Sequence, residues 1–190
     1  MDFNFRKIFA DTVSAVLRPQ TYFTTLPTDS DFSEPTFKVF LYGVVVAAIH
    51  FMLKMLHIAP PVMASADQAD PLTALLALPA LYVLILFLGA VLVMILSALA
   101  GGKRAFPPAV HVTAGLMALQ PLSTLANIAY VNVVAGALAN QAFSLFWIWM
   151  FYHAMLRGLG CRRGGVLVLC GIIALLSSVG CIRLIMKAVG

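Results

Sequence analysis

The sequence contains few charged residues. Only 10% of the 190 residues are charged, whereas 62% are hydrophobic and the mean hydropathy is +1.00. An ordinary soluble domain is about 25% charged, so this chain lacks the polar residues needed to cover itself in water. The composition therefore predicts an all-α integral membrane protein. At about 20 residues per spanning helix, the length leaves no room for a separate soluble catalytic domain.

Carboxylates are absent from residues 71–190, because Asp70 is the last of the seven acidic residues. Carboxylate pairs for acid–base catalysis, carboxylate-ligated metal sites and carboxylate proton relays therefore have no residues in that apolar region. The sequence predicts no catalytic, cofactor-binding or metal-binding residue, and hence a protein that is not an enzyme. Its net charge of +5 comes from basic residues that flank apolar segments. This arrangement favours anionic lipid headgroups over nucleic acid as the partner.

The three cysteines, Cys161, Cys170 and Cys181, do not form a recognisable metal or disulfide pattern. They lack CxxC spacing, and a thiol in an apolar helix behaves as a small hydrophobic group. Cys161 has a second interpretation, because it lies beside Arg162 and Arg163 at a predicted membrane edge. A thiol in that position can be a lipidation or redox site.

Residues 1–36 form a predicted cytoplasmic segment that precedes the apolar region. The segment begins with an amphipathic helix that ends at Arg18-Pro19, since the residue before a proline is disfavoured in a helix. Such a helix lies in the plane of the membrane interface or packs against the other helices. Its apolar positions recur at helical spacing: Phe5, Ile8, Phe9, Thr12, Val13 and Val16.

Five apolar segments are long enough to cross a membrane. Residues 105–156 carry no formal charge, and this stretch is too long for one helix. It predicts a hairpin whose bend lies around Gly136, Asn140 and Gln141. The predicted spans are about 37–58, 72–100, 106–135, 141–157 and 166–187, within a five-helix transmembrane domain over residues 37–190.

Two short loops contain five of the Lys and Arg residues, whereas the loops at 59–71 and 136–141 contain none. The positive-inside rule places the basic loops and the N-terminus in the cytoplasm, and the C-terminus outside. Arg183 and Lys187 are the exceptions at the outer end of the last span. We expect the five loop residues to contact anionic headgroups or a partner: Lys103, Arg104, Arg157, Arg162 and Arg163.

The order and spacing of several residues resemble the Yip1-domain family of five-span membrane proteins over about residues 15–187. Eukaryotic members carry an Asp-Leu-Tyr-Gly-Pro type sequence before the first span. This chain matches it only at Asp31 and Pro35, and is thus similar to a prokaryotic member. The other matching positions are Arg18-Pro19, Tyr22-Phe23, Leu26-Pro27, Gly101-Gly102-Lys103 followed by Phe106, and Pro121.

The resemblance implies an architecture and a broad role. Eukaryotic Yip1 proteins are trafficking and organelle-shaping factors that associate with GTPases and with one another, without an established catalytic activity. For this chain it implies the bacterial cytoplasmic (inner) membrane, with the endoplasmic reticulum or Golgi membrane as the alternative if the chain is eukaryotic. Association with Rab-type GTPases does not carry over, because the eukaryotic sequence before the first span is not kept.

A second group of polar residues lies within the predicted spans. His50, Lys54 and His57 share one face of the first span at i, i+4 and i+7. Gln120 and Asn127 share a face of the third span. Ionisable residues inside a membrane are functional candidates, although snorkelling of Lys54 and helix-to-helix hydrogen bonds of the amides also account for them.

Two functions follow from these patterns. The first is a non-catalytic membrane scaffold or adaptor of Yip1 type, which associates with protein partners or lipids through the N-terminal segment and the basic loops. The alternative is a small oligomeric transporter or lipid-handling channel that uses the intramembrane polar residues. Neither function requires a cofactor.

Overall fold

Every regular element in residues 5–27, 30–56 and 71–189, which the computed structural model describes, is helical. Long apolar runs without strand-like alternation favour this outcome. The helices are α1 (Phe5–Leu17), α2 (Pro19–Thr24), α3 (Ser33–Met55), α4 (Pro71–Leu99), α5 (Phe106–Met117), α6 (Gln120–Leu125), a 3₁₀ helix (Ala126–Val131), α7 (Val133–His153), a π-helical turn (Ala154–Gly158) and α8 (Arg163–Val189).

Five segments of these helices are long and apolar enough to cross a membrane, as the sequence predicts. They are Ser33–Met55, Ala77–Leu99, Phe106–Val131, Val133–Gly158 and Arg163–Arg183. The first begins four residues before its predicted start at Phe37. Asp31 accepts a hydrogen bond from the Ser33 N–H (2.9 Å), and Pro35 lies in the first turn, where its missing N–H costs no helical hydrogen bond.

The turn between the third and fourth apolar segments lies at Asn132, not at the predicted bend around Gly136, Asn140 and Gln141. The Asn132 side chain accepts hydrogen bonds from the N–H groups of Val134 and Ala135 and so caps α7. The predicted bend lies inside α7.

The polar side chain of Gln141 forms a contact between two helices. Its amide donates to Ser178 (3.2 Å) and accepts from the Ser177 hydroxyl (3.1 Å), so it joins α7 to α8. Interhelical hydrogen bonds of this kind are a common use of amides in apolar helices. A polar cluster in a long apolar stretch was therefore not evidence of a turn.

The core centres on α5, in which every residue from Pro108 to Met117 is buried. The small residues Gly43 and Gly115 permit close helix approaches. A Cβ at Gly43 would lie 2.6 Å from the Cα of Pro79 in α4. A Cβ at Gly115 would lie 2.7 Å from the Tyr22 ring and 2.9 Å from the Phe23 ring.

The N-terminal helices pack against the same core. Ala15 and Val16 of α1 and Phe23 of α2 are buried in one cluster with residues of α3, α4, α5 and α7. The predicted end of α1 before Pro19 is confirmed. Its apolar residues, however, are not all buried: Ile8 and Val16 are buried, whereas four apolar side chains at i, i+4, i+8 and i+12 are exposed. These four are Phe5, Phe9, Val13 and Leu17.

Candidate functional site

Two backbone hydrogen bonds join the two basic loops. The Lys103 N–H donates to the Leu159 carbonyl, and the Arg162 N–H donates to the Ala100 carbonyl, both at 2.9 Å. The loop between α4 and α5 is thus fixed beside the loop that precedes α8. We name residues 100–105 and 157–163 together the basic clasp.

Glycine and small polar side chains fill the interior of the basic clasp. The Ser97 hydroxyl donates to the Lys103 carbonyl (2.8 Å) and lies 3.3 Å from the Cys161 sulfur. Gly101 has a φ of 73°, a conformation that glycine adopts without strain. A Cβ at Gly102 would lie 2.6 Å from the Ser97 hydroxyl oxygen and 2.9 Å from the Leu159 carbonyl oxygen. The clasp therefore requires both glycines.

The basic side chains of the clasp all point outward. Among the residues that the structure describes, none of the five forms an ion pair with a carboxylate; the ion pairs found there use Lys7 and Lys38 instead. The structure therefore brings the predicted headgroup-contact residues together at one end of the bundle with their charge uncompensated. The five exposed residues are Lys103, Arg104, Arg157, Arg162 and Arg163.

The Cys161 thiol is enclosed by the clasp. It is 7% exposed, and burial raises its pKa, although the hydrogen bond with Ser97 opposes this effect. A thiol is reactive as the thiolate and must be accessible. Both conditions disfavour lipidation or redox chemistry at Cys161.

The predicted intramembrane polar residues that the structure describes lie on three elements. His50 and Lys54 are on α3, which packs against α6, where Gln120 is the first residue. Asn127 follows in the 3₁₀ helix, and His57 lies outside the described residues. No hydrogen bond joins the side chains of His50, Gln120 and Asn127 in the described part of the chain. Their participation in a common site stays a prediction.

The sequence-based predictions do not include a cluster of lysines and carboxylates at the start of α3. The Lys38 ammonium lies 3.0 Å from Asp11 Oδ2 and 3.6 Å from Glu34 Oε1, and Lys7 lies 3.0 Å from Glu34 Oε2. Only 6% of the Lys38 side chain is exposed. The i, i+4 spacing of Glu34 and Lys38 was a visible signal. The contact of Asp11 with Lys38 depends on how α1 packs against α3, and the position of Asp11 in the sequence does not predict that packing.

A cavity of about 160 Å³, lined by both charged and apolar residues, adjoins this cluster. It lies between α1, the chain around residues 22–27, the start of α3, and α5. The pKa of the Tyr22 hydroxyl is raised, first by burial and then by the negative charges of Asp11 and Glu34. Tyr22 therefore stays protonated and can donate a hydrogen bond. The lining residues are Lys7, Asp11, Tyr22, Thr25, Leu26, Pro27, Glu34, Pro35, Lys38, His111 and Ala114.

Comparison with known proteins gives no relative. No family model matches the chain, and no curated protein or solved structure matches it. The candidate site therefore rests on its own geometry.

Proposed function

We propose that this chain is a non-catalytic integral membrane scaffold of Yip1 type that binds anionic lipid headgroups through the basic clasp. The observation that carries the proposal is the pair of hydrogen bonds Lys103–Leu159 and Arg162–Ala100, which hold two cationic loops together. Fixed cations attract anionic headgroups without an ordering cost for the loops. Each Lys or Arg near an anionic surface contributes about 1 kcal/mol.

The proposal includes an orientation and a location. The five apolar helices cross the bacterial cytoplasmic membrane, with the basic clasp and the N-terminus in the cytoplasm. The uneven distribution of Lys and Arg among the short loops supports this orientation. The same end of the protein is where a membrane protein or a second copy of the chain would associate with the scaffold.

Helix α1 lies along the membrane interface in this proposal. At about 100° per residue, its surface divides into three sectors. One sector is buried against the bundle through Ile8 and Ala15. The second is apolar, exposes Phe5, Phe9 and Val13 to acyl chains, and includes the buried Val16 near the C-terminal end of the helix. The third is exposed and carries Arg6, Ala10 and Ser14 toward water. An apolar exposed sector beside a polar one is typical of an interfacial helix.

Lipid retention tests the headgroup proposal. Protein in nanodiscs that mix anionic and zwitterionic lipids is released under mild conditions, and retained lipids are counted by native mass spectrometry. Replacement of both Arg162 and Arg163 by Gln removes about 2 kcal/mol of attraction, so retention of anionic lipid falls about 30-fold at low salt. Arg183→Gln, at the other end of α8, is the matched control and leaves retention unchanged. Equal retention by all three proteins contradicts the proposal.

A small oligomeric transporter or lipid-handling channel is the second candidate. The observation that favours it is His50, whose Nδ1 atom is buried on α3 without a hydrogen-bond partner in the described residues. A cavity that opens beside His50 would give this atom a polar solute to bind. The test measures the flux of polar solutes into liposomes that contain the protein. Flux that stops in the Gln120→Leu and Asn127→Leu variants, while expression is unchanged, supports a transport path. Unchanged flux removes these residues from it.

A further inference from the structure

The cavity beside Tyr22 has charges of both signs on its walls. Asp11 and Glu34 supply two negative charges, and Lys7 and Lys38 supply two positive charges. These four charges cancel, so a simple cation or anion gains little net attraction. A molecule with an ammonium and an acidic group a few ångströms apart can pair with both kinds of wall at once.

Lys38, Asp11 and Tyr22 have hydrogen-bonding capacity that the described residues do not use. The Lys38 ammonium has three N–H donors and two carboxylate neighbours. Asp11 contacts Lys38 through Oδ2, which leaves Oδ1 as an acceptor. The Tyr22 hydroxyl makes no hydrogen bond within the described residues. The volume of 160 Å³ corresponds to about five water molecules, which is enough for a small polar headgroup.

The cavity lies where the first apolar span begins. Its walls include Glu34 and Pro35, the second and third residues of α3, and α1 adjoins it through Lys7 and Asp11. In the proposed orientation this is the level of the lipid headgroups. Lys7 is the most exposed of the four charged lining residues that form ion pairs, with 60% of its side chain exposed. Its side chain can therefore move to contact a ligand at the entrance.

We propose that this cavity binds a phosphoethanolamine headgroup, with its ammonium against Asp11 and Glu34 and its phosphate against Lys7 and the Tyr22 hydroxyl. A primary ammonium donates three hydrogen bonds to carboxylates that can accept them. A trimethylammonium group has no N–H donor and is larger, so the cavity discriminates against phosphocholine. The membrane lipid and the free headgroup share the same chemistry.

Competition between two lipids tests the site. The protein is placed in nanodiscs that contain equal amounts of phosphatidylethanolamine and phosphatidylcholine, and the lipids retained after detergent extraction are quantified. We expect enrichment of phosphatidylethanolamine of about tenfold, since the choline headgroup forfeits at least one hydrogen bond to a charged group. Equal retention of the two lipids overturns the proposal.

Two conservative variants locate the effect. Tyr22→Phe removes one hydroxyl and keeps the ring that packs on Gly115, so folding is preserved; the amount of phosphatidylethanolamine retained per protein falls about threefold to tenfold with the lost hydrogen bond to the phosphate. Lys7→Gln lowers this retention by a similar factor. Unchanged retention of phosphatidylethanolamine in both variants overturns the site. The double substitution of Arg162 and Arg163 by Gln leaves the retention of phosphatidylethanolamine unaltered, which separates this cavity from the basic clasp.

Soluble phosphoethanolamine distinguishes the two sources of the ligand. If added phosphoethanolamine displaces the retained lipid, the headgroup is sufficient and a free metabolite can occupy the site. If it does not, while phosphatidylethanolamine stays enriched, the site requires the acyl chains beside α1 and the ligand is the lipid. Phosphocholine at the same concentration is the matched control, and displacement by both compounds alike contradicts the recognition of the ammonium group.

Discussion

Substitution of Gly102 by alanine will destabilise the basic clasp. The added Cβ would lie against the Cys161 sulfur, 2.6 Å from the Ser97 hydroxyl oxygen and 2.9 Å from the Leu159 carbonyl. Overpacking of this kind costs about 1–3 kcal/mol. The loss of the adjacent hydrogen bond from Lys103 to Leu159 adds about 1 kcal/mol. We therefore expect a decrease of about 2–4 kcal/mol in the free energy of unfolding, with weaker binding of anionic lipid as the two loops separate.

Gly164→Ala is the matched control, because a Cβ at Gly164 meets nothing within 4 Å. In the first turn of α8, alanine stabilises the helix by up to about 1 kcal/mol relative to glycine. Unfolding is followed in mixed micelles by titration with SDS and circular dichroism. A Gly102→Ala protein that unfolds with the wild type and retains anionic lipid normally would refute the reasoning. Partial recovery in the double variant with Cys161→Ala would assign the effect to crowding by the sulfur.

Three further outcomes are expected. The Cys161 thiol resists maleimide at neutral pH in the folded protein, because burial raises its pKa, and it reacts after denaturation; rapid labelling of the native protein contradicts its enclosure. Asn132→Ala loses the cap of α7 and about 1 kcal/mol of stability in the same SDS titration, and an unchanged midpoint argues against the turn at this residue. Gln141→Leu loses its interhelical hydrogen bonds to α8 and about 1 kcal/mol, whereas Asn140→Leu, at an exposed position, does not destabilise the protein.

The sequence predicts the long helices well because each has its own apolar signal. The four apolar segments after Asp70 contain almost no formal charge, and their helical form needs no knowledge of tertiary contacts. The end of α1 is equally local, since Arg18-Pro19 disfavours continuation of the helix. The grouping of Lys103 with Arg162 can also be predicted from the sequence, because loops predicted on the same side of a membrane lie at the same end of a helical bundle.

The features that the sequence does not predict depend on packing. Gln141 was expected in a turn, yet its amide pairs with Ser177 and Ser178 of a helix more than 30 residues away. Asp11 is not among the apolar positions of the N-terminal amphipathic helix, and it contacts Lys38 of α3. In both cases the partner is distant in sequence. The local spacing of residues therefore shows that a position is polar, but it does not predict the hydrogen-bond or ion-pair partner.

The ion pairs that Asp11 and Glu34 form with lysines also determine where the net positive charge of the protein is effective. These two carboxylates lie beside Lys7 and Lys38 and neutralise them in the walls of the cavity. The basic clasp has no carboxylate nearby in sequence, because residues 71–190 contain none. The two lipid sites that we propose therefore differ in kind. The clasp attracts any anionic headgroup and its binding should weaken with salt, whereas the cavity has no net charge to screen and should keep its preference for phosphoethanolamine as the ionic strength rises.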